Sequence, residues 1–179
     1  MYNPTRMLKP FSDNIIFFDT EFSHLDPYKG ELISIGMVKP SGEEFYIEIE
    51  HDEGVSDWVE ENVIPYFTGP KVSREEAKER IRDFVGSTTP YLVSYVNQFD
   101  AIYWYKLFGV DNHPAYWIPI DFASILFGLG INPKFSDNQD FLSGLGVDTT
   151  KYKKHNALED AKLLREIYLK FFEKYGEKN

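Results

Sequence analysis

Four carboxylates and one histidine stand in an order that could do chemistry: Asp19 and Glu21 in IIFFDTEF, Asp100 in VNQFD, and His155 and Asp160 in KKHNALEDA. Ile15 to Phe18 form a short, apolar, β-rich run, which predicts that Asp19 and Glu21 sit at the end of a buried strand. Residues two apart on a strand share a face, so the two carboxylates lie side by side. Like charges that close raise each other's pKa unless a cation screens them. A cluster of oxygen donors in a chain without cysteine suits a hard ion such as Mg²⁺ or Mn²⁺. The chemistry implied is metal-dependent cleavage of a phosphoryl ester.

The elements that must position these groups read as an α/β domain. Ile15–Phe18, Glu31–Lys39 and Glu44–Glu50 are predicted strands, the last two joined by a turn at Ser41-Gly42. Phe45, Ile47 and Ile49 alternate with polar neighbours, the period of a strand with one wet face. Ser56–Val63 is a predicted short helix, and Ser73 with Glu76 is a capping box opening a helix to about Val85. Strand Tyr91–Val96, helix Phe99–Phe108, strand Ala115–Ile120 and helix Phe122–Leu129 follow, with Asp121 read as the N-cap of that last helix. A short helical piece near Phe141–Leu145 precedes the longest helix, Ala157–Tyr175. Strands first, then alternating strand and helix, imply a mixed β-sheet flanked by α-helices.

The final helix is the most instructive element. Leu164, Ile167 and Phe171 follow Asp160 at offsets of four, seven and eleven, which places Asp160 on the core-facing stripe. A buried carboxylate is costly unless paired or metal-bound, and no cation sits one turn away on that stripe. His155, five residues earlier, is turned by about 500° and does not share that face. It is expected in the preceding loop, with Asn156 as N-cap and Glu159 completing a capping box. A loop histidine beside a metal site could act as a base. The plain alternative is a surface histidine near a helix start.

Composition sets the frame. The chain has 179 residues, 17% aromatic and 27% charged, which fits one folded domain over residues 1–179. With no cysteine there is neither a disulfide framework nor a thiolate metal site. No apolar run approaches the roughly 20 residues that span a bilayer, and the N-terminal residues lack a signal-peptide core, so the expectation is a cytoplasmic protein without membrane association. The net charge of −10 argues against gripping long nucleic acids by phosphate neutralisation. Bound metal would offset several of the acids, however, and a protein that holds only a chain end needs few phosphate contacts. The basic group Lys151, Lys153 and Lys154 precedes His155, which makes Lys154 a candidate phosphate contact. Arg74, Lys78, Arg80 and Arg82 are interleaved with glutamates and read as a solvated helix face.

Together, D-T-E on the first strand, an aspartate opening the helix after a later strand, and H-N-A-L-E-D opening the last helix resemble the DEDDh 3′–5′ exonuclease superfamily. The resemblance covers roughly residues 14–172. It is nearest to the small mycobacterial-type exoribonucleases, through D-T-E-F, E-L-I-S-I-G, G-E-E-F-Y and a short W-V helix. Oligoribonuclease and ribonuclease T are more distant kin.

The resemblance implies a ribonuclease-H-like fold and two-metal phosphodiester hydrolysis. Asp19 would bridge two divalent ions, Mg²⁺ or Mn²⁺. Glu21 and Asp160 would complete the first ion's shell, Asp100 would hold the second through water, and His155 would be the general base. Nucleoside 5′-monophosphates would leave the 3′ end of short or single-stranded RNA. Phe22 is the candidate to stack on the terminal base, with core packing as its alternative. Ser23 and Ile33 are candidates for main-chain recognition of the terminal sugar. Trp58 is a further nucleotide contact, again with core packing as the alternative. Small exoribonucleases of this type pair, so a homodimer is expected. Two rivals stand beside this reading: a DNA-trimming exonuclease with the same site, and a non-catalytic nucleic-acid-binding scaffold.

Overall fold

The computed structural model describes residues 8–52, 54–134 and 138–176. A six-stranded mixed sheet runs through its centre in the order β4-β3-β2-β1-β5-β6. The strands are β1 (Ile15–Phe22), β2 (Leu32–Val38), β3 (Glu44–Ile49), β4 (Lys71–Val72), β5 (Tyr91–Ser94) and β6 (Ile120–Asp121). The helices are α1 (Asp57–Asn62), α2 (Arg74–Val85), α3 (Gln98–Phe108), α4 (Phe122–Gly128), α5 (Gln139–Leu145) and α6 (Ala157–Tyr175). Strands β1, β2 and β3 are antiparallel; β5 joins β1, β6 joins β5 and β4 joins β3 in parallel. This is the mixed α/β sheet with flanking helices that the residue pattern predicts. No helix among the described residues is long and apolar enough to cross a membrane.

Strand alternation divides the core. Ile16 and Phe18 point to the face covered by α2 and α3, where they meet Ile81 and Trp104. Ile15 and Phe17 point to the face covered by α4, α5 and α6, among Phe122, Leu142, Ile167 and Phe171. The same parity continues past Phe18, so Asp19 and Glu21 emerge on the α6 face.

Two expectations change at the sheet, and one strand is new to it. β1 does not stop at Phe18 but runs to Phe22, because β2 pairs with it through Asp19↔Gly36, Thr20↔Ile35 and Glu21↔Ser34. The acids therefore lie within a strand. The expected strand Ala115–Ile120 shrinks to Ile120–Asp121, since Pro119 has no N–H to give a ladder. β4 was not legible, being two residues that add to β3 only through tertiary pairing. The helices agree closely: Ser73 caps α2, Asp121 caps α4 through Ala123 and Ser124 N–H, and Asn156 caps α6 through Glu159 N–H. The expected box at α6 is half formed, because the Glu159 carboxylate pairs with Lys162 at 2.9 Å.

The position of α6 turns on one residue. Gly36 lies opposite Asp19 in the ladder, and a Cβ there would overlap backbone atoms of Ala157 and Leu158. A glycine inside a strand marks such a close backbone approach. The first turn of α6 thereby rests directly on β2, one strand away from Asp19.

Candidate active site

That approach gathers the acids. Ligand oxygens of Asp19, Glu21 and Asp160 all lie within 4.8 Å of one another. They line a cavity of about 710 Å³ together with Asp100, His155 and Trp58. Burial, with added repulsion from Asp100, Asp160 and Glu21, pushes the Asp19 carboxyl well above the usual range. Burial and the charges of Asp160 and Asp100 push Glu21 up to about 8. Asp160 is raised by burial to about 6, against the pull of the His155 N–H, which donates to its Oδ2 at 2.9 Å. The donor set is all oxygen and strongly self-repelling. It fits a hard divalent cation, which would offset the repulsion that now holds these groups towards protonation.

Asp100 occupies a different setting. It stands in the first turn of α3, 5% exposed, and its Oδ1 accepts from both Thr20 N (3.0 Å) and Thr20 Oγ1 (2.7 Å). Parallel pairing of β1 with β5 is recorded only as far as Phe17↔Val93, so Asp100 serves an N–H on β1 beyond that ladder. Burial raises its carboxyl to about 7, with the Thr20 bonds opposing.

His155 comes from the loop before α6, with φ at 61° in the left-handed region. Its ring packs edge-to-face with Trp58, centroids 4.9 Å apart and planes at 85°. Burial, aided by the Lys154 charge, lowers its pKa and keeps the imidazole neutral near pH 7.

The remaining expected residues divide. Phe22 lines the cavity while its ring stacks on Tyr103 at 4.5 Å, so core packing and cavity lining coexist. Trp58 is 52% exposed at the cavity wall and does not lie in the core. Lys154 lines an adjoining cavity of about 570 Å³, which shares Tyr95, Val96, His155 and Asp160 with the first. Ser23 and Ile33 lie behind the cavity wall. Ser23 is fully buried, its N–H given to Glu31 O, its carbonyl accepting from Ser56 N and its Oγ accepting from Glu31 N. Ile33 is the extra residue where the β1–β2 register shifts, and it is buried under α1 with Val59 and Val63. Neither lines the cavity, because both hold the segment after Glu21 in place.

Several residues escaped the sequence reading. Gly36 was detectable as a glycine inside an apolar strand. Thr20, His24, Lys29 and Val96 carry no local signal. Val96 borders both cavities at φ 59°, its N–H held by Asp121 Oδ1 at 2.9 Å.

Sheet order and flanking helices define a ribonuclease-H-like fold, with an acid cluster at the junction of β1 and α6. The solved structures agree on the fold. Escherichia coli exonuclease I in complex with a dT13 oligonucleotide superposes with a TM-score of 0.67 at 13% identity, over 90% of this chain and 41% of that one. A second exonuclease I structure gives 0.68 at 12% identity, with the same coverage. A zinc-bound exonuclease I–single-stranded DNA complex gives 0.67 at 12% identity, over 89% and 40%. In sequence, the chain is 32% identical over 102 residues to two Mycobacterium tuberculosis proteins, from strains CDC 1551 and H37Rv, each named a 3′–5′ exoribonuclease. That match spans 52% of this chain and 60% of those relatives. No family model matches the chain. The sequence match and the fold are both consistent with the resemblance to the DEDDh exonuclease superfamily.

Proposed function

We propose that this protein is a divalent-metal-dependent 3′–5′ exoribonuclease that releases nucleoside 5′-monophosphates from the 3′ ends of short or single-stranded RNA. The observation that carries the reading is the convergence of Asp19, Glu21 and Asp160 within 4.8 Å at a cavity also lined by Asp100 and His155. Asp19, Glu21 and Asp160 would hold Mg²⁺ or Mn²⁺, with Asp100 beside them for a second ion. Bound there, two divalent ions would supply charge stabilisation to the attacking and leaving oxygens of an in-line displacement.

The neutral imidazole of His155 accepts a proton from the attacking water through a ring nitrogen. A bond forms between the water oxygen and phosphorus, and the bond from phosphorus to O3′ of the preceding nucleotide breaks. The exposed side of Phe22 offers an aromatic surface to the terminal base, a sequence-tolerant contact. Lys154, which lines the adjoining cavity, would contact a phosphate of the strand. The proposal extends to a homodimer and a cytoplasmic setting, which light scattering and localisation of a tagged chain would test.

The names of the Mycobacterium relatives favour RNA, whereas the single-stranded DNA complexes of exonuclease I favour a DNA-trimming reading of the same site. Matched 5′-labelled RNA and DNA oligomers, digested with Mg²⁺, Mn²⁺ or excess EDTA and read by mass spectrometry, separate the two. Mononucleotide 5′-phosphates from RNA with a ladder shortening from the 3′ end are expected. Full cleavage in EDTA, or products bearing 3′-phosphates, would sink the reading.

A further inference from the structure

We infer that Trp58 is a positioning residue for His155, clamping the imidazole in the orientation that proton transfer needs. The inference rests on the nuclease reading above, because only there does the histidine act as a base.

A catalytic imidazole is ordinarily oriented by a hydrogen bond to its second nitrogen, and that bond fixes both tautomer and direction. His155 has none. Among the described residues, its backbone N–H donates to Asp160 Oδ2 and its ring makes no hydrogen bond. The oriented contact on the ring is the edge-to-face packing of Trp58, 4.9 Å between centroids at 85°. Such pairs favour this geometry through the ring quadrupoles, so the contact is directional.

The clamp is built on a fixed base. Trp58 belongs to the short helix α1, whose N-cap Ser56 accepts from Val59 N and donates its own N–H to Ser23 O. Val59 and Val63 on the same turn of chain are buried against Ile33 in β2. The segment following Glu21 therefore carries the tryptophan that meets the histidine from the α6 loop. His155 sits at φ 61°, an uncommon backbone for a non-glycine residue, and Asp160 holds that backbone through its N–H. Asp160 fixes the main chain and Trp58 fixes the ring.

The test pairs kinetics with a direct view of the ring. Trp58→Ala is expected to lower kcat about fivefold to tenfold, the worth of one aromatic pair, with KM within about twofold. Trp58→Phe, which keeps an aromatic ring there, should restore most of the rate. In metal-free protein, the His155 ring proton resonances should move in Trp58→Ala, because the indole ring current is lost, and should broaden. Trp58 is half exposed, so the variant should fold, and an unchanged thermal midpoint confirms it. A rise in KM at constant kcat would overturn the inference and make Trp58 a stacking surface for substrate. Unmoved His155 resonances would overturn it by removing the contact. If the wild-type protein cleaves no oligonucleotide while the resonances do shift, the nuclease reading fails and takes the positioning role with it. The contact itself would then survive, which tells the two failures apart.

Discussion

Asp160 and Asp100 invite comparison: each stands in the first turn of a helix laid against β1, and each lines the same cavity. A helix N-terminus favours a carboxylate in both cases. Their neighbours differ. Asp160 is brought onto Asp19 and Glu21, where charge repels charge and, on the proposed function, a cation would be the partner. Asp100 is engaged by two donors of Thr20 and completes the hydrogen bonding of β1. One acid therefore sits among repelling charges, and the other holds the strand that carries them.

The largest expected effect breaks the Asp160 side. Asp19→Asn should lower the rate of hydrolysis by at least about a thousandfold, as several kcal/mol of charge stabilisation at the reacting oxygens is lost. The metal-free variant should melt no lower than wild type, because repulsion is relieved. A clear fall in its midpoint would mean that Asp19 is structural.

Asp100→Ala sharpens the contrast from the other side. It strands the buried N–H and hydroxyl of Thr20 and should cost about 2–4 kcal/mol in denaturant unfolding of the metal-free protein. Asp100→Asn keeps an acceptor oxygen there and should recover much of that loss. Equal stability of wild type and Asp100→Ala would remove the structural role.

Gly36→Ala separates how the two helices are placed. The added methyl meets the backbone of Ala157 and Leu158, which cannot rotate away, so α6 must shift at a cost of about 1–3 kcal/mol. Affinity for Mn²⁺, read by calorimetry, should fall because Asp160 moves with α6. The Asp100–Thr20 contact, on the other face of β1, should persist. Undiminished Mn²⁺ binding would show that the cluster does not depend on this close approach.

The last expected effect is a pH dependence. A carboxyl with a raised folded-state pKa binds its proton more tightly in the folded chain than in the unfolded one. For Glu21, stability is then lost as pH rises from its ordinary 4.5 through about 8. Asp100, at about 7, and Asp160, at about 6, add in the same direction over narrower windows. The thermal midpoint of the metal-free protein should fall between about pH 5 and pH 8, the sense opposite to ordinary acid denaturation. Saturating Mg²⁺ should flatten the curve by stabilising the ionised cluster. A midpoint that rises across that window without metal would contradict the clustering of these acids.

What the amino-acid sequence determined by itself was local. The i, i+2 spacing placed Asp19 and Glu21 on one face, and the apolar stripe of Ala157–Tyr175 turned Asp160 inward. Ser73, Asp121 and Asn156 marked helix starts through short-range hydrogen bonds that any such spacing allows. These are properties of a few consecutive residues, so they can be read without a partner. Tertiary structure decided the rest, because the deciding contacts join residues far apart in the chain. Ladder pairing with β2 extended β1 through the acids, and 80 residues separate Thr20 from the Asp100 that serves it. The spending of Ser23 on Glu31 and Ser56, and the burial of Ile33 beneath α1, likewise depend on which surfaces meet. So does the edge-to-face contact of Trp58 with His155, between a short helix and a loop, which no periodicity encodes.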